Sequence, residues 1–215
     1  MQWSFNDWQN VYISDAAVNA FTYTDESGAE YTDPRAALTF YGEKGGDMQF
    51  CDMCDAGVID YNFGEKLYRW RKYQTYEFEE NHELPQSPIN SQVIRFADVL
   101  LMLAEAQIEQ GKTGDAIAHI NRVRARSGAF EYTDLGSQDN ARQILRRERQ
   151  LELAGEQVRW FDLVRWGVAE QTINPEKQAQ IGKSPFQAKH VLLPIPQVER
   201  DANPNVGGDV ADNWN

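Results

Sequence analysis

The chain has 215 residues, 41% hydrophobic and 25% charged, which is enough to bury a sizeable core in one domain or two small ones. Its formal net charge of −12 disfavours nucleic acid as a partner, because phosphate contacts rely on lysine and arginine. The longest apolar run, Val99 to Ala104, is too short to span a membrane, and residues 1–20 lack the pattern of a signal peptide.

Residues 1–88 mix aromatic side chains with turn-forming residues and show no lasting helical periodicity. We expect loops there, with short helices and a few strands. Sugar rings present apolar C–H faces, so tryptophan and tyrosine beside amide groups suit them as binding partners. The sequence therefore makes Trp3, Asn6, Trp8 and Tyr12 candidate ligand-binding residues, with core packing as the alternative.

Two segments could hold a metal ion, and neither fits well. Cys51 and Cys54 lack the second cysteine pair of a zinc site and the strand–helix setting of a redox motif, so a short-range disulfide or two free thiols is expected. Residues 201–212 approximate the oxygen spacing of a calcium loop, but Val206 stands where glycine is needed. We expect a polar loop there, and neither a metal nor a cofactor.

Two helices are predicted next to each other in the middle of the chain. The first runs from about Gln92 to Gln110 and is apolar around most of its circumference, so it should pack on more than one side. Gly111 ends it, and the second runs from Thr113, as N-cap, to Ser127. The short connection is similar to that of a tetratricopeptide-type pair, which needs neighbouring helices to bury its faces.

A third helix, from about Gln138 to Ala154, places Glu148 among apolar neighbours. A desolvated carboxylate needs an arginine or several backbone donors. Glu148 and Glu152 could also form an acid/base pair or half of a di-metal site, but no Glu-x-x-His motif accompanies them. The surrounding arginines favour a structural network, for which the candidates are Arg95, Glu105, Glu148, Arg149, Glu152, Arg159, Asp162 and Arg165.

No catalytic motif competes with that interpretation. The chain lacks a nucleophile elbow, a phosphate-binding loop and a dinucleotide-type glycine pattern. His82-Glu83 fails as a zinc-protease start because Gln86 replaces the second histidine. We therefore expect a protein that is not an enzyme, although a glycoside-processing enzyme with a carboxylate pair stays open as a hypothesis.

A fourth, shorter helix is predicted from about Gln157 to Gly167, with Trp160 and Trp166 in the core. Beyond Ile173 the chain is rich in proline, and we expect an extended, irregular segment. The sequence thus divides into a loop-rich aromatic segment, a helical core and a proline-rich tail, over residues 1–88, 89–170 and 171–215.

Several stretches resemble the C-terminal region of the SusD/RagB family. The first is Arg95-Phe-Ala-Asp-Val-Leu-Leu-Met-Leu-Ala-Glu-Ala, and the most specific is Glu148-Arg-Gln-Leu-Glu-Leu with Phe161-Asp-Leu and Arg165-Trp-Gly. Asp33-Pro-Arg, Lys72, Arg124, Glu156 and Leu193-Pro-Ile-Pro also match. The ending, Ala211-Asp-Asn-Trp-Asn, departs from the family's usual Gln-Asn-Pro-Gly-aromatic text.

The resemblance implies a mainly α fold, with a tetratricopeptide-like helix pair, long irregular loops and a few short strands. It also implies a surface lipoprotein of the outer membrane that binds starch- or polysaccharide-derived oligosaccharides without cleaving them. The partner would be a SusC-like TonB-dependent transporter. Family members are about twice as long, so residues 1–215 are expected to be the C-terminal region, with the export signal and lipid anchor outside them. A helical-repeat scaffold for protein partners, or a protein that binds peptides or other nutrients, is the alternative.

Overall fold

The computed structural model describes residues 13–41, 69–72, 90, 92–178, 185–203 and 205. Its elements are mainly helices with a few short strands, so the predicted fold class is confirmed. The chain forms two compact units, one from Met1 to Gln157 and the other from Val158 to Asn215. No helix in the described ranges has the length and apolar character needed to cross a bilayer.

Short elements come first in the larger unit: α1 (Asp15–Asn19), β1 (Thr22–Thr24), β2 (Glu30–Thr32), α2 (Arg35–Thr39), β3 (Phe40–Tyr41) and β4 (Arg69–Trp70). β1 pairs antiparallel with β2, and β3 with β4, in two separate ribbons. Asp25 shapes the first hairpin, because its Oδ1 accepts from the backbone N–H groups of Ser27 and Ala29. A small core unites Ile13, Val18, Phe21, Ala36, Phe40 and Leu151.

Three longer helices follow: α3 (Phe96–Glu109), α4 (Thr113–Arg126) and α5 (Gln138–Glu152). Gly111 ends α3 with a φ of 74°, as predicted, whereas Thr113 begins α4 as a helical residue and Lys112 takes the cap position. Ser137 caps α5 by accepting from the N–H of Asn140. The main core lies where these helices meet, and it includes Leu100, Leu101, Ala104, Ile108, Ala116, Ile120, Val123, Leu135, Ala141 and Leu145.

α3 is apolar on two opposite faces. One face packs against α4 and α5, as Leu101, Ala104 and Ile108 are fully buried. The other face carries four large side chains that are 42 to 59% exposed, namely Phe96, Val99, Met102 and Leu103. The sequence predicts that α3 packs on more than one side, whereas within the described residues it packs through one of its two apolar faces.

The smaller unit contains α6 (Arg159–Arg165), α7 (Ala169–Gln178), a 3₁₀ turn (Ala188–Val191) and α8 (Gln197–Ala202). Its core is Leu163, Ala169 and Phe186 with partly buried neighbours such as Ile173. The sequence predicts an irregular segment beyond Ile173, whereas α7 continues through Pro175 to Gln178. Tertiary contacts outweigh the local cost of proline here, since Asn174 both donates to and accepts from the Phe186 backbone.

The two tryptophans that the sequence places in the core are not fully buried. Trp160 is 38% exposed and meets Phe186 edge to face, with ring centroids 5.7 Å apart. Trp166 is half-buried, and the guanidinium of Arg165 lies 4.7 Å from its ring centroid. The prediction of two core tryptophans is therefore wrong in degree, because each side chain remains partly exposed.

Candidate functional site

The two glutamates of α5 that the sequence singles out lie at the centre of a buried ionic network. Glu148 is 1% exposed, and both its carboxyl oxygens are engaged. Arg35 donates to Oε1 at 2.5 Å and to Oε2 at 3.1 Å, and Arg124 donates to Oε2 at 2.9 Å. Glu148 is thus held by two arginines from different parts of the chain, α2 and α4, which compensates its desolvation.

Asp33 and Tyr23 complete this half of the network. The Asp33 carboxylate accepts two hydrogen bonds from Arg35, from Nε and Nη2, each 2.8 Å long. The hydroxyl of Tyr23 donates to Asp33 at 3.0 Å and accepts from Arg124 at 3.1 Å. A closed ring of charge-assisted bonds therefore joins the β1–β2 ribbon, α2, α4 and α5.

The second half of the network surrounds the C-terminal end of α5. Glu152 accepts from Arg95 at 2.6 Å, from Arg126 at 2.8 Å and from Arg35 at 3.2 Å. Arg95 also donates to the carboxylate of Glu156 at 2.7 Å and to the backbone carbonyl of Glu152 at 2.6 Å. Arg35 links the two halves, because its Nη1 contacts both Glu148 and Glu152.

The electrostatics of the network favour ionised carboxylates. Burial disfavours the charged form of Glu152, but hydrogen bonds and charges, first those of Arg95, outweigh it and hold the pKa of that carboxyl below its usual range. Burial acts on Asp33 in the same way, and the bonds from Arg35 outweigh it, so the pKa of Asp33 is also lowered. Burial raises the pKa of the Tyr23 hydroxyl, which stays protonated as a donor.

This arrangement is suited to holding the fold together. A general acid needs a raised pKa and a proton that the substrate can reach. The pKa of Glu152 is instead lowered, and both carboxyl oxygens of Glu148 already accept hydrogen bonds from arginines. Within the described ranges no group of three or more His, Cys, Asp or Glu side chains could hold a metal ion. The geometry thus favours the structural interpretation of the carboxylate pair over the catalytic one.

The other residues proposed for the network are spread over both units. Arg149 donates to Asp98 of α3 at 2.8 Å, and Glu105 lies half-buried on the same helix. In the smaller unit, Arg165 donates to Asp162 within α6 at 2.8 Å. Arg159 is half-buried at the start of α6. Of the eight candidates, the central cluster described above unites Arg95, Glu148 and Glu152.

Sequence reasoning missed several members of the network as site residues, namely Tyr23, Asp33, Arg35, Lys72, Arg124, Arg126 and Glu156. A signal existed for part of them, because Glu148 needs an arginine and Asp33-Pro-Arg stands out as a motif. The sequence does not show which arginine binds Glu148, however, since Arg35 and Glu148 are 113 positions apart.

The candidate ligand-binding residues Trp3, Asn6, Trp8 and Tyr12 lie outside the described residues, as do Cys51 and Cys54. Of the calcium-loop series, Asp201 is the penultimate residue of α8, and its Oδ1 accepts from Gln197. Asp209 and Asp212 lie outside the described part of the chain. The binding and calcium hypotheses therefore stay predictions.

The sequence is similar to a known family along nearly its whole length. The model of the SusD family matches residues 2–208. SusD-like protein P25 of Formosa agariphila is 38% identical over 120 residues, an alignment that covers 54% of this chain and 23% of that protein. SusD-like protein P2 of the same organism is 32% identical over 148 residues and is covered to 28% of its length.

Two solved structures are similar in fold. A SusD superfamily protein from Bacteroides vulgatus superposes with a TM-score of 0.69 at 31% identity, over 90% of this chain and 42% of that one. A SusD-like carbohydrate binding protein from Bacteroides fragilis gives a TM-score of 0.63 at 24% identity, over 89% of this chain and 47% of that one, and shows the fold alone. The chain spans less than half of either structure.

Proposed function

The chain belongs to the SusD family, and on that basis we propose that the protein binds an oligosaccharide derived from starch or another polysaccharide and delivers it to a SusC-like TonB-dependent transporter. The observation that carries the proposal is the match of the family to residues 2–208. The protein acts by binding, without breaking a bond. We place the protein at the external face of the outer membrane, held there by a lipid anchor.

Charge and composition support a sugar as the ligand. A formal charge of −12 is compatible with a neutral oligosaccharide, which makes no demand on lysine or arginine. Trp3, Trp8 and Tyr12 with the amide of Asn6 offer stacking faces and hydrogen bonds, the combination that sugar rings need. These four residues are our proposal for the ligand contacts.

The test is calorimetric titration of the chain with a panel of oligosaccharides, followed by recovery of each sugar and determination of its mass. We expect saturable heat with one class of glycan and an unchanged mass after prolonged incubation. Heat with a shortened product would instead support the glycoside-processing enzyme. If no sugar gives heat, the proposal fails for the panel tested, and peptides become the next ligands to titrate.

A scaffold for protein partners is the second candidate function. It is favoured by the exposed apolar face of α3, because large apolar faces on a helix pair are surfaces that other helices cover. Capture of a TonB-dependent barrel by the chain, with no response to any saccharide, is the result that distinguishes this function from glycan binding.

A further inference from the structure

The ammonium group of Lys72 lies against the end of α5 and is surrounded by oxygen atoms. Its Nζ donates to the backbone carbonyl of Glu152 at 2.8 Å and to that of Ala154 at 3.2 Å. It also donates to Oε1 of the Glu156 carboxylate. The Lys72 side chain is 23% exposed and that of Glu156 8%, so most of this contact is shielded from water.

The local fold explains why these oxygens converge. The last carbonyls of a helix have no intrahelical partner and carry partial negative charge. After α5 the chain turns at Gly155, whose φ is 78°, and Glu156 follows immediately. Arg95 holds two of the three acceptor groups in position, because it donates to the other carboxyl oxygen of Glu156 and to the backbone carbonyl of Glu152.

The set of acceptors matches one class of cation. A primary ammonium group has three N–H donors on a compact charge, and three oxygens of the described residues accept from it here. A guanidinium group is planar and presents its donors as a fork, so it cannot address three oxygens around one point. Burial lowers the pKa of Lys72 below its usual range and Arg95 acts in the same direction, while Glu156 and Glu152 oppose them.

We propose that the turn after α5 is a binding site for a primary ammonium group, occupied by Lys72, and that this site fastens the residues after β4 to the helical core. Two further contacts hold the residues beside Lys72 in place. The ring of Trp70 lies against Gly155, and the N–H of Lys72 donates to the Thr39 carbonyl, which continues the β3–β4 ribbon. This inference does not depend on the proposed function.

Chemical rescue tests the site. Lys72→Ala removes the ammonium and its chain beyond Cβ, and n-propylammonium has the size of the lost group. We expect the variant to melt about 5–10 °C below the wild type, as for a broken buried ion pair. Propylammonium chloride should restore at least half of the loss, saturably. Tetramethylammonium chloride, with the same charge but no N–H donor, should restore none.

Lys112→Ala is the matched control, because the exposed Lys112 donates to Gln110, which is not one of the three acceptors that bind Lys72 in the turn after α5. Its melting temperature should not respond to propylammonium beyond the response of the wild type. Equal effects of the two ammonium salts on Lys72→Ala would overturn the proposal. If that variant does not fold, Lys72→Arg and Lys72→Met provide the test: the proposal requires arginine to be no better than methionine, and recovery of wild-type stability by arginine would contradict it.

Discussion

Arg35 and Glu148 are 113 positions apart and meet through two hydrogen bonds, Nη1 to Oε1 at 2.5 Å and Nη2 to Oε2 at 3.1 Å. Both side chains are almost completely buried. The same arginine also binds Asp33 and Glu152, so one guanidinium joins α2 to two turns of α5. The segment that precedes α3 and the helical core therefore depend on each other for stability.

Arg35→Met should destabilise the protein by about 3–5 kcal/mol, because it leaves Glu148 and Asp33 buried with fewer cationic partners. Arg35→Lys should recover little, since a single ammonium cannot replace the fork that binds several carboxylates. Urea denaturation followed by far-UV circular dichroism measures both. Arg142→Met is the matched control: Arg142 pairs with the exposed Glu109, and its loss should change stability little. Equal effects of Arg35→Met and Arg142→Met would contradict the assignment.

Gly155→Ala should be more damaging than Gly111→Ala. Both glycines have positive φ, 78° and 74°, so each substitution carries a backbone strain of about 1–2 kcal/mol. A Cβ at Gly155 would also come within 3.0 Å of the Trp70 ring, whereas a Cβ at Gly111 would meet nothing within 4 Å. We expect an additional cost of about 1–3 kcal/mol at Gly155. The difference between the two unfolding free energies isolates the contact with Trp70, and equal values would show that the ring moves aside without cost.

The free energy of unfolding should decrease at acidic pH, because Glu152 and Asp33 become protonated there. Their pKa values are lowered in the folded state, so the stabilisation is fully present above the unfolded values of about 4 and is lost as the pH falls through the folded ones. Urea denaturation from pH 7 to pH 3 should show a plateau and then a decline. Glu152→Gln should flatten that decline, while Glu109→Gln, on the surface, should flatten it much less. Identical pH profiles for the two variants would exclude Glu152 as a main contributor.

Much of the helical core could be predicted from the sequence, because apolar spacing and glycine stops are local signals. Gly111 ends α3 where the pattern placed it, and Glu148 has the arginine partners that its apolar surroundings require. The identity of those partners could not be predicted, since Arg35 and Arg124 reach Glu148 through tertiary folding. Pro175 misled the prediction in another way: proline predicts the end of a helix, but tertiary packing keeps α7 helical through it.

The measurement that tests the proposed function most directly is tryptophan fluorescence during titration with oligosaccharides. We expect a saturable change with one glycan class in the wild type, and its loss in Trp3→Ala or Trp8→Ala. Trp160→Phe is the matched control: Trp160, on α6, packs against Phe186, so its substitution should leave the response intact. A glycan response that survives both N-terminal substitutions would contradict the proposed contacts. If no glycan tested changes the fluorescence of the wild-type chain, glycan binding by residues 1–215 is contradicted.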